Sequence, residues 1–122
     1  MGPRHAAGSN MPFPVDIRFR DMETSPALEQ FARRWADKLG RVHDRISSCE
    51  VVIERPHQSQ RHGQLIHVRV TVDVPGHAII VSHDPEINGA HEDPYVAVRD
   101  AFRAARRQLE QARRPRAPEI EA

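Results

Sequence analysis

Apolar and polar residues alternate strictly in some stretches of this chain and recur at three- and four-residue steps in others, and the two periods mark strands and helices in turn. In residues 13–19, Val15, Ile17 and Phe19 fall on one side and Asp16 and Arg18 on the other, with Arg20 in the same phase. This predicts a half-buried strand, and Pro14 suits an edge position or a strand beginning. Ser25-Pro26 then opens a helix whose apolar stripe is Leu28, Phe31, Ala32, Trp35, Leu39 and Val42, with Arg33, Arg34, Lys38 and Arg41 outside it. Gly40 either ends this helix or is a weak point before its last turn.

Residues 46–54 predict a second strand with Cys49, Val51 and Ile53 inward, and the polar stretch 56–63 a loop. The clearest strand is 64–74, where Ile66, Val68, Val70, Val72 and Val74 alternate with His67, Arg69, Thr71 and Asp73. Pro75-Gly76 predicts a short turn, and 77–82 returns as the hairpin partner. Residues 83–92 form a loop longer than a strand-to-helix connection needs. From Pro94 to Arg114 the stripe Tyr95, Val98, Phe102, Ala105, Leu109 and Ala112 predicts a long helix, with Asp93 as its cap, Pro94 at its first position and Pro115 as its stop.

The order is therefore β-α-β-β-β-α. Helices with one apolar stripe and strands with one apolar face predict an α+β two-layer sandwich: a four-stranded, mostly antiparallel sheet with both helices on one face. The strand-helix-strand start permits one parallel pair.

Length changes this picture little: 122 residues make one domain, large enough to bury about two thirds of its unfolded surface. Residues 1–11 are expected to be a disordered leader or a cloning remnant, 12–114 the single domain, and 115–122 a flexible tail. One cysteine, Cys49, leaves no internal disulfide and suits a reducing compartment, so a cytoplasmic location is expected. The apolar runs are too short to span a membrane.

Charge adds more. The net charge is only +1, but residues 99–116 hold seven arginines against Asp100 and Glu110, whereas residues 83–93 hold four acids and no lysine or arginine. If the two helices lie side by side, Arg33, Arg34, Lys38 and Arg41 join this excess in one patch, which points to an anionic partner. Arginine-coated helices also serve as solvated surfaces, and cations near a helix C-terminus complement its dipole.

Catalytic chemistry is hard to place. His57 and His62 share one loop and His83, Asp84, Glu86, His91, Glu92 and Asp93 another, but no pair has a diagnostic metal-ligand spacing. Cys49 falls on the inward face of a strand, where a thiol behaves as a small hydrophobe. There is no phosphate-binding glycine loop and no nucleophile elbow. The expectation is a binding protein, not an enzyme, with no cofactor, no bound metal and no small-molecule substrate. Two alternatives stay open: a stand-alone double-stranded RNA-binding domain, whose element order is related, and a metal-dependent enzyme using the histidine-rich loops.

The chain resembles the ribosome hibernation-promoting factor family, also called protein Y or ribosome-associated translation inhibitor, in its short form. Ala27-Leu28, Lys38-Leu39, Asp44-Arg45-Ile46, the Val51–Ile53 strand, Val74-Pro75-Gly76, Asp93-Pro94-Tyr95 with Ala97-Val98, and Arg107-Gln108-Leu109 carry the resemblance, over residues 13–114. It implies the same β-α-β-β-β-α fold and a stress-related factor that binds the small ribosomal subunit near the decoding centre, occluding messenger and transfer RNA. The implied partner is ribosomal RNA, with no membrane contact and a monomer off the ribosome. Lys38, Arg41, Arg45, Arg107 and Arg113 match positions commonly basic in the family, and Arg103, Arg106 and Arg114 join them on charge alone. Where the family often continues with a basic-basic-aromatic run, this chain has Glu110, Gln111 and Ala112. The chain ends soon after Arg114, so ribosome dimerisation is expected to need another factor.

Overall fold

The computed structural model describes residues 13–55, 66–83 and 93–113. Alternation of side chains builds a four-stranded sheet in the order β1-β2-β3-β4, from β1 (Val15–Arg20), β2 (Ser48–Glu54), β3 (His67–Val74) and β4 (His77–His83). Two helices complete it, α1 (Pro26–Val42) between β1 and β2 and α2 (Pro94–Arg113) after β4. The expected β-α-β-β-β-α sandwich is the observed one. β1 and β2 run parallel and the other pairs antiparallel, so β1 and β4 point the same way and each leads into a helix.

Register explains the core. Val15, Ile17 and Phe19 stand opposite Cys49, Val51 and Ile53, which stand opposite Val72, Val70 and Val68. Every second residue thus faces the helices, and the valines of β3 are almost fully buried. Each such side chain contributes about 1.5–3 kcal/mol over its exposed state. β1 is an edge strand, which explains both Pro14 beside it and the partial exposure of its apolar side.

The helices start as their sequences dictate. Ser25 accepts a hydrogen bond from the Leu28 amide at 3.2 Å with Pro26 in the first turn, and the Asp93 carboxylate accepts one from the Tyr95 amide at 2.9 Å. Gly40 does not end α1, which continues to Val42 and closes with the His43 amide donating to the Leu39 carbonyl. The buried faces differ from the predicted stripes. Ala36, Ala97 and Ala101 join Leu28, Ala32, Leu39, Val98, Phe102, Ala105 and Leu109 in the core, while Phe31 and Trp35 are only partly buried against it and Tyr95 is exposed at the seam between the helices.

His83 also moves: it extends β4 instead of opening a loop, because it continues the inward phase of Ile79 and Val81 and pairs with Val68. The β3–β4 turn has Pro75 then Gly76, with Gly76 at φ 92, a value that L-residues resist. A Cβ on Gly76 meets nothing within 4 Å, so Gly76→Ala isolates backbone strain. Chemical denaturation is expected to show a loss of about 1 kcal/mol.

Cys49 is buried on the core side of β2. Burial pushes its thiol up to about 12 from 9.0, with the charges of Asp73 and Glu50 adding to the effect. The folded state therefore holds this proton more tightly than the unfolded one, and the thiol's contribution to stability falls as pH rises from 9.0 towards about 12. Cys49→Ala should remove that part of the alkaline destabilisation. Below this window, the wild-type thiol should resist labelling until the protein unfolds.

Candidate nucleic-acid interface

At about 100° per residue, each helix has a buried face, a seam face and an outer face. On α1, Phe31, Trp35 and Lys38 lie towards α2, and Arg34 and Arg41 one step further out. On α2, Tyr95 and Phe102 lie towards α1, Arg99 and Arg106 just outside them, and Arg103 and Arg107 opposite the buried Val98 and Ala105.

Aromatic contacts bind the two helices along the seam. The Phe31 ring meets Tyr95 edge-to-face at 5.0 Å and Trp35 at 6.5 Å, and Trp35 stacks on Phe102 at 6.4 Å with an interplanar angle of 21°. The Lys38 ammonium sits 4.6 Å from the centre of the Trp35 ring, an attraction worth about 0.5–1 kcal/mol at an exposed site. The cation is thereby held over the seam beside the Phe102 turn of α2.

The outer surface of the helix pair is basic. Arg34, Lys38 and Arg41 accompany Asp37 on α1, and Arg99, Arg103, Arg106 and Arg107 accompany Asp100 and Glu110 on α2, so cations lead carboxylates seven to three. The open side of the sheet is different. There Arg18, Arg20 and Arg69 meet four carboxylates, Asp16, Glu50, Glu54 and Asp73. Arg18 bonds Asp16 at 2.9 Å and lies 3.5 Å from Glu50, and Ser48 donates to Asp73 at 2.7 Å. A self-neutralised face draws little on a polyanion, so the helix face is the better surface.

The residues singled out in the sequence separate by availability. Arg41 pairs with Asp37 at 3.0 Å and Arg106 with Glu110 at 3.1 Å, both exposed (i, i+4) pairs that a phosphate can outcompete. Arg103 and Arg107 are exposed and make no ion pair among the described residues. With Arg106 and Glu110 they line a shallow, solvent-open depression of about 320 Å³. Arg45 follows α1 in an exposed turn, where its amide donates to His43 Nδ1 at 3.1 Å. Arg113 closes α2 by its backbone, and its side chain and Arg114 lie outside the described residues. Arg33 leaves the patch: half-buried, it donates to the Val15 carbonyl at 3.2 Å and pairs with Glu29 at 3.1 Å, tying α1 to β1. Sequence position alone could not separate Arg33 from Arg34; their 100° offset around the helix does. Tyr95, which the sequence places in the buried stripe, is exposed at the start of the seam.

Among the described residues no three His, Cys, Asp or Glu side chains converge on a metal position. His57, His62, Asp84, Glu86, His91 and Glu92 lie outside the described residues. No described helix is long and apolar enough to cross a membrane.

The family model for Sigma 54 modulation protein / S30EA ribosomal protein matches residues 15–116. No curated protein matches by sequence. Among solved structures, a ribosomal subunit interface protein from Coxiella burnetii is similar with a TM-score of 0.64 and 18% identity, over 82% of this chain and 97% of that one. The N-terminal domain of Thermus thermophilus Protein Y gives 0.61 and 18% identity, over 85% and 99%. At such identities the two structures speak for the fold. The family match runs from the first strand through the last helix, and on it the chain belongs to the Sigma 54 modulation protein / S30EA ribosomal protein family, the hibernation-promoting factors it resembles by sequence.

Proposed function

We propose that this protein is a ribosome-associated translation inhibitor, a hibernation factor that binds the small ribosomal subunit near the decoding centre and occludes the sites of messenger and transfer RNA. The observation that carries this reading is the cation-rich outer face of two helices locked together by an aromatic seam, in a chain of this family. The names of the two similar structures, a ribosomal subunit interface protein and Protein Y, support it.

The mechanism is steric and electrostatic. A domain of this size has a radius of gyration of about 13 Å, enough to fill a channel that a nucleic-acid strand would otherwise occupy. Arg103, Arg106, Arg107 and Lys38 provide charge-assisted hydrogen bonds to ribosomal RNA phosphates, with Arg41 and Arg45 beside the end of α1 and Arg113 and Arg114 beyond the described end of the patch. The aromatic seam fixes the spacing of the two basic rows, so little ordering remains to be done on binding. The protein acts in the cytoplasm, as a monomer between binding events, and needs no cofactor or catalytic step.

Order of addition in cell-free translation tests occlusion. Added to small subunits before messenger and initiator transfer RNA, the protein lowers synthesis; added after the initiation complex has formed, it has little effect. Inhibition independent of order contradicts a shared site.

A further inference from the structure

Tyr95 is one of two large apolar side chains exposed among the described residues, at 37% of its surface. The apolar stripe of α2 would turn this ring into the core. Here it stands at the open end of the helix seam, steadied by the Phe31 ring at 5.0 Å and 80°. Its backbone is fixed by the Asp93 cap. By helical spacing, Arg99 falls one turn along α2 from Tyr95, and Arg34 one turn along α1 from Phe31. Arg99 pairs with Asp100 at 3.2 Å, a partly exposed contact that a phosphate can outcompete.

A fixed, part-exposed ring with an arginine within a turn on each helix matches how proteins hold single-stranded nucleic acid, where bases stack on aromatic faces and the backbone tracks positive charge. A duplex offers no free base face at such a site. We infer that Tyr95 is a stacking platform for an unpaired base of the bound RNA, with Arg99 and Arg34 taking the adjacent phosphates. This deepens the ribosomal RNA reading above and rests on it for the identity of the RNA. It makes the helix pair selective for loops or single strands over A-form duplex.

The test uses the full chain, purified small subunits, a fluorescently labelled single-stranded oligonucleotide and a hairpin duplex of equal length. Tyr95→Ala should bind subunits and the single strand about 10-fold or more weakly. The dependence of log affinity on log salt should keep its slope, because no phosphate contact is lost. Tyr95→Phe should restore binding. Tyr95→Leu, which refills the seam without a π-face, should stay folded and melt within a few degrees of wild type, yet bind like Tyr95→Ala.

Wild-type affinity for Tyr95→Ala on both the subunits and the single strand overturns the inference. So does equal loss on the duplex, or a Tyr95→Leu variant that binds like wild type. Loss on subunits with unchanged single-strand binding also overturns it, since the ring would then touch something other than a base. Failure of the wild-type chain to bind subunits is a different result: it removes the ribosomal reading, and the single-strand arm alone then decides the role of Tyr95.

Discussion

Replacing Arg103 and Arg107 together by glutamate should lower small-subunit affinity by about 100-fold or more, since two charge-assisted contacts at about 1.5–3 kcal/mol each are lost and their sign reversed. The melting temperature should barely move. Both side chains are exposed on the outer face of α2 and make no ion pair among the described residues, so the fold does not use their charge. The slope of log affinity against log salt should fall by about two, one for each phosphate contact removed. The control reverses the same charges elsewhere: Arg20→Glu with Arg69→Glu, on the open side of the sheet, should bind almost as wild type. Equal loss in both pairs would mean that net charge alone, not the helix face, governs binding.

Phe102→Ala should cost about 3–5 kcal/mol of stability, a large share of the about 5–15 kcal/mol that holds a domain together. Phe102 is completely buried, and its ring stacks on Trp35 at 6.4 Å. Truncation leaves a cavity where α2 meets both the sheet and α1, and it frees the ring beneath Lys38. Urea denaturation would show the lower midpoint, and the native fluorescence of Trp35, the only tryptophan in the chain, should shift as its packing loosens. Arg103→Ala, one residue on but exposed, should leave both signals near wild type. A midpoint unchanged by Phe102→Ala would mean that the seam is not part of the cooperative core.

The two faces of this molecule are unequally legible in its sequence. Strict alternation from Ile66 to Val74 marks the central strand because a residue of period two has only two places to go. The Ser25 and Asp93 caps and the Pro75-Gly76 turn follow from local chemistry, and each is where the sequence places it. Periodicity sets Phe31, Trp35 and Tyr95 in the same stripes as the buried Leu28, Leu39, Val98, Phe102 and Leu109, but these three rings fall at the edge of the stripes that faces the other helix. Phe31 and Trp35 are partly buried against the core and Tyr95 is exposed, while Ala36, Ala97 and Ala101 take core positions that the stripes leave out. His83 reads as loop because a polar residue ends an apolar pattern on paper, although the strand continues through it.

The basic patch is legible as composition but not as geometry. The arginine excess after residue 99 is plain in the chain, and the parallel crossover that sets α1 beside α2 follows from the element order. Which arginines are already engaged depends on neighbours one turn away and on the strand below, as Arg33 with Val15 and Arg41 with Asp37 show. Arg103 and Arg107 emerge as the available pair only once the rotation of α2 is fixed by Phe102 and Leu109 in the core.

The helix face is proposed to bind the small ribosomal subunit through RNA phosphates. Co-sedimentation of the purified protein with isolated small and large subunits across a salt series tests it most directly. The protein should pellet with small subunits at low salt and be released as salt rises, with a log–log slope of about five or more for six phosphate contacts. Protein left in the supernatant with small subunits at low salt, or an equal preference for large subunits, would contradict it.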